Sequence, residues 1–387
     1  MRRVARVALG LIALVIVAFF TIVAPGVERV LNRVTTGGPY QASAAAESLH
    51  RAVGVVDLHG DALLWRRDLL RRNDHGHIDL PRLREGSVAL QVFSTVTKTP
   101  RGLNYERNAA TSDQITLLML AQRNPTRTWF SLRNRALFQA AKLQYLIQRD
   151  TGLRLILDRH DVADAELVAG RGTARVYGLL ATEGLQPLEG RLANLDTLWA
   201  AGFRMFGLTH FFDNEVGGSA HGVDKGGLTP FGRRVIARID SLGGIVDLAH
   251  VSPRLFDDVL AATARPVVVS HTGVQGTCPG PRNLNDRQLQ AIGARKGVVG
   301  IGFWDGAICE PTAAAFARSV AYAIRVAGED AVAIGSDFDG STVTPFDASG
   351  LALATEALLA AGLTTNQIEK VLSRNALRAL ASLLPAP

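Results

Sequence analysis

The stretch Val55-Val56-Asp57-Leu58-His59-Gly60-Asp61 decides the fold. It rises through β-branched apolar residues, as a buried strand does, and ends in two acids and a histidine that are costly to bury. A strand of this kind must end at a place where polar side chains have work to do.

The same pattern recurs down the chain. Short apolar runs at Val53–Val56, Val88–Phe93, Leu153–Leu157, Val176–Ala181, Phe203–Leu208, Gly244–Leu248, Pro266–Val269, Val298–Phe303 and Ala331–Ile334 read as strands. Amphipathic stretches lie between many of them, including Thr229–Leu242, Asn285–Ala294 and Thr312–Val326, closed by Gly243, Gly297 and Gly328. Near-continuous Val/Ile/Leu strands alternating with helices make a parallel sheet covered by helices, and the expected fold is α/β, a (β/α)8 TIM-like barrel. Nine candidates exceed the eight strands of such a barrel. Leu153–Leu157 is assigned to the periphery, because Asp158-Arg159-His160 follows it without the small residues that follow the others. The segment Thr111–Asp150, broken at Asn124-Pro125, reads as a helical insertion.

The chain has 387 residues, enough for one large barrel, and 47% hydrophobic content places it among ordered globular proteins. Its net charge of +7 is scattered, with no basic stripe interleaved with aromatics, which argues against nucleic-acid binding. Residues 1–27 hold Arg2, Arg3 and Arg6 ahead of an uncharged run from Val7 to Val23. That run, about 17 residues long, is at the lower limit for a membrane span. The expectation is a single N-terminal transmembrane helix acting as an uncleaved signal-anchor; a cleavable signal peptide is the competing reading. Either sends the rest of the chain to the exported side, periplasmic or extracellular. Residues 28–51 then read as a juxtamembrane linker and 52–387 as the barrel domain. Cys278 and Cys309 are the two cysteines, and in an exported protein they are either bridged or two buried thiols.

Polar residues gather at the C-terminal ends of the strands. His59 and Asp61, Glu183, His210, His250, His271 and Asp337 each follow an apolar run, and in a parallel barrel all these ends converge on one face. Imidazole and carboxylate without cysteine suit a zinc-like catalytic ion. The i, i+2 spacing of His59 and Asp61 puts both on one side of an extended segment, Glu183 could bridge two ions, and His250 and His271 could hold the second. Two ions about 3.5–4 Å apart would clamp and activate a water between them. A single histidine at a strand end is more often a satisfied core residue; the joint pattern carries the inference. His50, His75, His77, His160 and His221 lie in linker or loop-like stretches and are read as structural, with the glycine-rich loop of His221 able to cover the pocket.

With these residues in hand, the sequence resembles the membrane dipeptidase (renal dipeptidase) family of zinc peptidases, from about Val55 to Leu380. The likeness rests on His59-Gly60-Asp61, Asp79-Leu80-Pro81 with Gln91-Val92-Phe93, Glu183-Gly184, Leu208-Thr209-His210 and Gly227-Leu228-Thr229 with Phe231-Gly232. It continues through Asp247-Leu248-Ala249-His250-Val251-Ser252, Ser270-His271, Arg282-Asn283 and Gly335-Ser336-Asp337-Phe338-Asp339-Gly340. The resemblance implies a binuclear zinc dipeptidase in which His59 and Asp61 bind one ion, Glu183 bridges, and His250 and His271 bind the other. It implies that His210 contacts the scissile carbonyl and oxyanion, Arg282 pairs with the substrate's C-terminal carboxylate, and Asp337 handles protons and the substrate's amino end. It further implies that a hydroxide held between the ions attacks, that a D-residue at the C-terminal position is tolerated, and that Asp57 stays outside the ligand set as an acid that orients a ligating histidine.

Two departures stand beside ligands: Gly60 where family members often carry Asn, and Ala249 where Ser is usual. The loop Cys278-Pro279-Gly280-Pro281 before Arg282 is a further place for altered specificity. The alternatives are a metal-dependent amidohydrolase acting on another small amide, lactam or lactone, and a non-catalytic envelope binding protein. Oligomeric state is open, with a homodimer among the options.

Overall fold

The computed structural model describes residues 2–171 and 175–387. Eleven strands are present among them: β1 (Arg33–Val34), β2 (Val55–Gly60), β3 (Val88–Val96), β4 (Leu153–Leu155), β5 (Val176–Glu183), β6 (Phe203–Gly207), β7 (Ile245–Asp247), β8 (Val268–Thr272), β9 (Val298–Ile301), β10 (Val332–Ile334) and β11 (Val343–Thr344). The sheet order β3-β2-β10-β9-β8-β7-β6-β5-β4, with a further pairing of β3 to β5, closes eight parallel strands into a barrel. β4 is left outside the ring, paired to the start of β5 through Leu153↔Val176, so the peripheral assignment of this strand holds.

Alternation along the strands divides the core. Val56, Leu58, Leu90, Val92, Leu179, Ala181, Met205, Val268 and Val298 form one cluster, which the C-terminal helix Asn375–Leu383 joins through Ala376, Leu377 and Leu380. A larger cluster includes Val55, Phe93, Leu180, Phe206 and Val269, the opposite parity on the same strands, together with the surrounding helices. Two-faced burial explains why the strands read as unbroken apolar runs. The helical segment expected between residues 111 and 150 is present as Ile115–Ala121 and Leu132–Arg149, separated by a turn at Thr126–Thr128.

The N-terminal region differs from the expectation of one membrane-spanning helix over 1–27; Met1 lies outside the described residues. The helix Arg2–Ala18 has 17 residues, and a π-helical turn Phe19–Val23 separates it from the helix Ala24–Leu31. At 1.5 Å per residue the first helix falls short of a bilayer's ~30 Å core. Among the described residues no helix is long and apolar enough to cross a membrane.

Where a linker was expected over 28–51, the chain is docked on the barrel. Glu28 and Asn32 are buried, β1 pairs with β11, and the Tyr40 ring packs on Phe346 at 6.4 Å. His50 is buried with both ring nitrogens bonded, to Thr355 Oγ1 at 2.8 Å and Gly86 O at 3.0 Å. Cys278 and Cys309 form a disulfide, which resolves the two readings of this pair.

Candidate active site

The strand ends carry the polar side chains as the alternation of the sequence implies, and several strands run further than their apolar cores, β5 as far as Glu183 itself. β2 extends through His59 to Gly60, and β8 through His271 to Thr272. Both show a register shift near the ligand, between Asp57 and Gly60 and between Val269 and Thr272. Such an irregularity breaks strict alternation and re-aims a side chain toward the barrel mouth. His250 and Asp337 sit three residues beyond β7 and β10 with φ of 61° and 58°, left-handed backbone that non-glycine residues hold only where the surroundings over-determine it.

Glu183 is the centre. Its Oε1 lies 3.1 Å from His250 Nε2, 3.4 Å from His271 Nε2 and 3.5 Å from His59 Nε2, while Oε2 lies 3.4 Å from His210 Nε2. His59 Nε2 is also 3.5 Å from Asp61 Oδ2 and 4.0 Å from Asp337 Oδ1. The His59 and His271 rings stack at 3.7 Å. All these side chains are buried, and the structure brings every predicted ligand, with His210 and Asp337, into one cluster.

The donor set fits divalent cations. His59 Nε2 and Asp61 Oδ1 are buried without a hydrogen-bond partner. Ligand atoms fall into three overlapping groups, each within 4.8 Å: His59, Glu183 and His271; Glu183, His210 and His250; His59, Asp61 and Asp337. His210 and Asp337, expected only to touch substrate, thus also lie within ligand distance of the cluster. Burial pushes the Glu183 carboxyl well above its usual range and raises that of Asp337. Burial opposes charge on His59, yet Asp61, Glu183 and Asp337 outweigh it and hold its imidazolium up to about 10. Burial keeps His210, His250 and His271 neutral, well below the usual imidazole value.

Sequence reasoning missed the groups that orient these ligands. Ser270 Oγ donates to Asp247 Oδ2 at 2.6 Å and lies 2.9 Å from His271 Nδ1. Because the hydroxyl proton goes to Asp247, Ser270 accepts from His271 Nδ1–H and leaves the Nε2 lone pair facing Glu183. Asp57 differs from its expected role: it reaches no imidazole. Its carboxylate accepts from Ser336 N at 2.8 Å, Ser336 Oγ at 2.6 Å and His59 N at 3.3 Å, so it fixes backbone at the ends of β2 and β10. The available signal was parity with His59 and the apolar setting of both acids.

Arg282 is buried, donates Nη2–H to His271 O at 2.8 Å and lies 5.1 Å above the Trp304 ring, so its fork is pre-oriented. Asn283 beside it donates to Cys278 O at 2.7 Å and Gly306 O at 3.0 Å, anchoring the loop close to the disulfide. His221 packs on Phe211 at 4.8 Å and lies 5.5 Å from His250, with Nδ1 bonded to Tyr105 O. Its loop does lie against the site. His77 is bound into the Asp339 loop, and His75 and His160 pair with carboxylates at or near the surface. A cavity of about 680 Å³ is lined by Asp61, Glu183, His210, Arg282 and Asp337, with Trp65, Tyr105 and Trp304 among its walls.

The model of the membrane dipeptidase family (peptidase family M19) matches residues 43–383. The chain belongs to the membrane dipeptidase family. Family membership makes it a metallopeptidase-type hydrolase. Among curated relatives, an uncharacterized protein of Klebsiella pneumoniae is 33% identical over 62% of this chain and 93% of its own length. An uncharacterized dipeptidase of Schizosaccharomyces pombe is 28% identical over 84% of this chain and 79% of its own. Among solved structures, a metallopeptidase described as dipeptidase AC has a TM-score of 0.70 and 26% identity, covering 87% of this chain and 100% of that one.

Proposed function

We propose that this protein hydrolyses the peptide bond of free dipeptides at a two-zinc site, with His59 and Asp61 holding one ion, His250 and His271 the other, and Glu183 between them. The single observation that carries the reading is the convergence of four imidazole Nε2 atoms on the Glu183 carboxylate within 3.1–3.5 Å. Zinc held there would supply an activated water and polarise the scissile carbonyl. His210, kept neutral by burial, donates a hydrogen bond where negative charge develops on the carbonyl oxygen. Arg282, braced by His271 O and Trp304, takes the substrate's terminal carboxylate as a fork. Asp337, its carboxyl raised by burial, takes the proton of the attacking water and passes it to the leaving amine. With Arg282 reading one terminus and Asp337 the other, the cavity suits two residues and not a long chain.

The test is zinc analysis together with a dipeptide panel, including D-residues in the second position, N-acetylated dipeptides and C-terminal amides. About two zinc ions per chain and turnover confined to dipeptides with both termini free are expected. Turnover of lactams, lactones or blocked amides without turnover of free dipeptides would instead make the protein an amidohydrolase for other small substrates.

The proposed location is the exported side of a membrane, with the N-terminal helix in contact with lipid. The disulfide supports a non-reducing compartment. Val7, Leu9, Leu11, Ile12, Leu14, Val15 and Ile16 are all more than half exposed, a helix apolar all round that water does not favour. Recovery of the protein in the soluble cytoplasmic fraction would refute this.

A further inference from the structure

The catalytic cavity has one wall that does not come from the barrel. Phe19, Val27 and Leu31, from the N-terminal helical run, line the same cavity as Asp61, Glu183, Arg282 and Asp337. Leu103, Leu117 and Leu118 add to its apolar lining. Leu31 and Val27 are each 38% exposed, Leu103 40% and Leu117 52%, so apolar surface stands open to water beside the reacting groups. Contiguous exposed apolar surface at a cavity mouth is the mark of a binding surface.

The segment is fastened to the loop that carries Asp337. Buried Glu28 pairs with Arg67, and the other end of that guanidinium pairs with Asp339, two residues beyond Asp337. Asn32 Oδ1 accepts the Ser341 N–H at 2.8 Å, and Arg33 donates its N–H to Thr342 O at 3.3 Å. Thr342 Oγ1 in turn donates to Asp337 O at 2.7 Å. At the other end, the Arg123 guanidinium lies 5.2 Å over the Phe20 ring, just past the helix Ile115–Ala121 that carries Leu117 and Leu118. Polar clamps on both sides set the apolar residues between them against the cavity.

Asp337 meets the substrate's amino end in the reaction proposed above, and Leu31 and Val27 are held next to its loop. We propose that Phe19, Val27 and Leu31 form the subsite for the first side chain of the dipeptide and select a bulky apolar residue there. This rests on the reading of the site as a dipeptidase. A leucine or phenylalanine side chain in that position covers Leu31 and Val27 and removes water from both surfaces, whereas glycine leaves them wet. Discrimination by an apolar wall open on one side is on the order of tenfold.

The experiment uses the full-length, zinc-loaded protein and compares kcat/KM for Leu-Ala and Gly-Ala. The wild type is expected to favour Leu-Ala. In Leu31→Ser and in Val27→Ser the ratio should fall several-fold, through KM more than kcat, while Leu31→Met, which keeps the wall apolar, should fall less. Zinc content and melting temperature report whether each variant is folded, and either serine variant alone is sufficient to read the ratio. An unchanged ratio in a folded, zinc-replete serine variant overturns the proposal, as does a wild type that turns over Gly-Ala as well as Leu-Ala. A wild type that cleaves neither dipeptide overturns the dipeptidase reading instead.

Discussion

Asp247 and Ser270 make the same clasp at the ends of β7 and β8 that Asp57 and Ser336 make at the ends of β2 and β10. In each, one carboxylate oxygen accepts the serine N–H, at 2.9 Å and 2.8 Å, and the other accepts the serine hydroxyl at 2.6 Å. The first oxygen also accepts the N–H two residues further along the chain, from Ala249 at 3.0 Å and His59 at 3.3 Å. The two clasps differ in what the hydroxyl meets next: Ser270 Oγ lies 2.9 Å from the His271 imidazole, whereas Ser336 Oγ lies 2.9 Å from the His59 carbonyl oxygen and accepts the Phe338 N–H at 3.0 Å.

That difference predicts a difference in effect. Ser270→Ala removes the acceptor that fixes the His271 tautomer and should weaken zinc binding about 10- to 100-fold, the usual effect of losing a partner behind a ligand. Ser336→Ala should act mainly on stability, because its hydroxyl reaches the Asp57 carboxylate and the backbone of His59 and Phe338 but no imidazole. Competition with a metal buffer, alongside thermal unfolding, separates the two. Equal zinc affinity in Ser270→Ala and the wild type would show that the tautomer is set some other way.

Loading the site with metal should release protons and strengthen with pH. In the metal-free cluster His59 holds its proton up to about 10 and burial keeps Glu183 protonated well above its usual range, whereas a cation needs both deprotonated. The metal-free state therefore binds more protons than the loaded state near neutrality, so zinc affinity rises as pH rises and falls as pH falls. Each proton displaced adds about tenfold per pH unit. Calorimetric titration with zinc in buffers of different ionisation enthalpy counts these protons; uptake independent of pH between 6 and 8 would contradict the assignment.

Much of this arrangement was legible in the sequence. The barrel and its odd strand followed from apolar runs and the residues after them, since the run Leu153–Leu157 is followed by Asp158-Arg159-His160 and its strand β4 lies outside the ring. The ligands followed because parallel strands send all their C-terminal ends to one face. What could not be read was set by pairings between residues far apart in the chain. The Asp57–Ser336 clasp joins positions 279 apart, and Glu28 reaches Arg67 and through it Asp339. Residues 28–51 look like a linker because they are short on apolar runs, yet single buried groups such as Glu28, Asn32 and His50 are enough to dock them.

The disulfide should matter for both stability and substrate binding. Cys278 and Cys309 close a loop of sequence separation 31 that contains Arg282 and Trp304. A crosslink of that span contributes about 2–4 kcal/mol. Replacing both cysteines with serine, or reducing the bridge, should lower the melting temperature and raise KM for free dipeptides while leaving zinc stoichiometry intact, because no ligand lies between the two cysteines. A variant pair with unchanged KM would mean that the Asn283 bonds to Cys278 O and Gly306 O hold the Arg282 loop unaided.

Gly60 has a steric reason that can be tested by a paired substitution. A Cβ added there would lie 2.6 Å from Ile78 Cδ1 and 3.1 Å from Gln91 Nε2, inside contact distance in a fully packed region. Gly60→Asn, the residue that family members often carry, should therefore cost about 1–3 kcal/mol through overpacking and shift His59 and Asp61 on either side. Ile78→Ala alone should also destabilise, by opening a cavity. Combined, each change relieves the other, and the double variant should be more stable than the two separate losses predict by about 1 kcal/mol or more. Denaturant unfolding of the four proteins measures the coupling. Simple additivity would place the constraint at Gln91 or at the Phe338 carbonyl, 3.3 Å from the same point, rather than at Ile78.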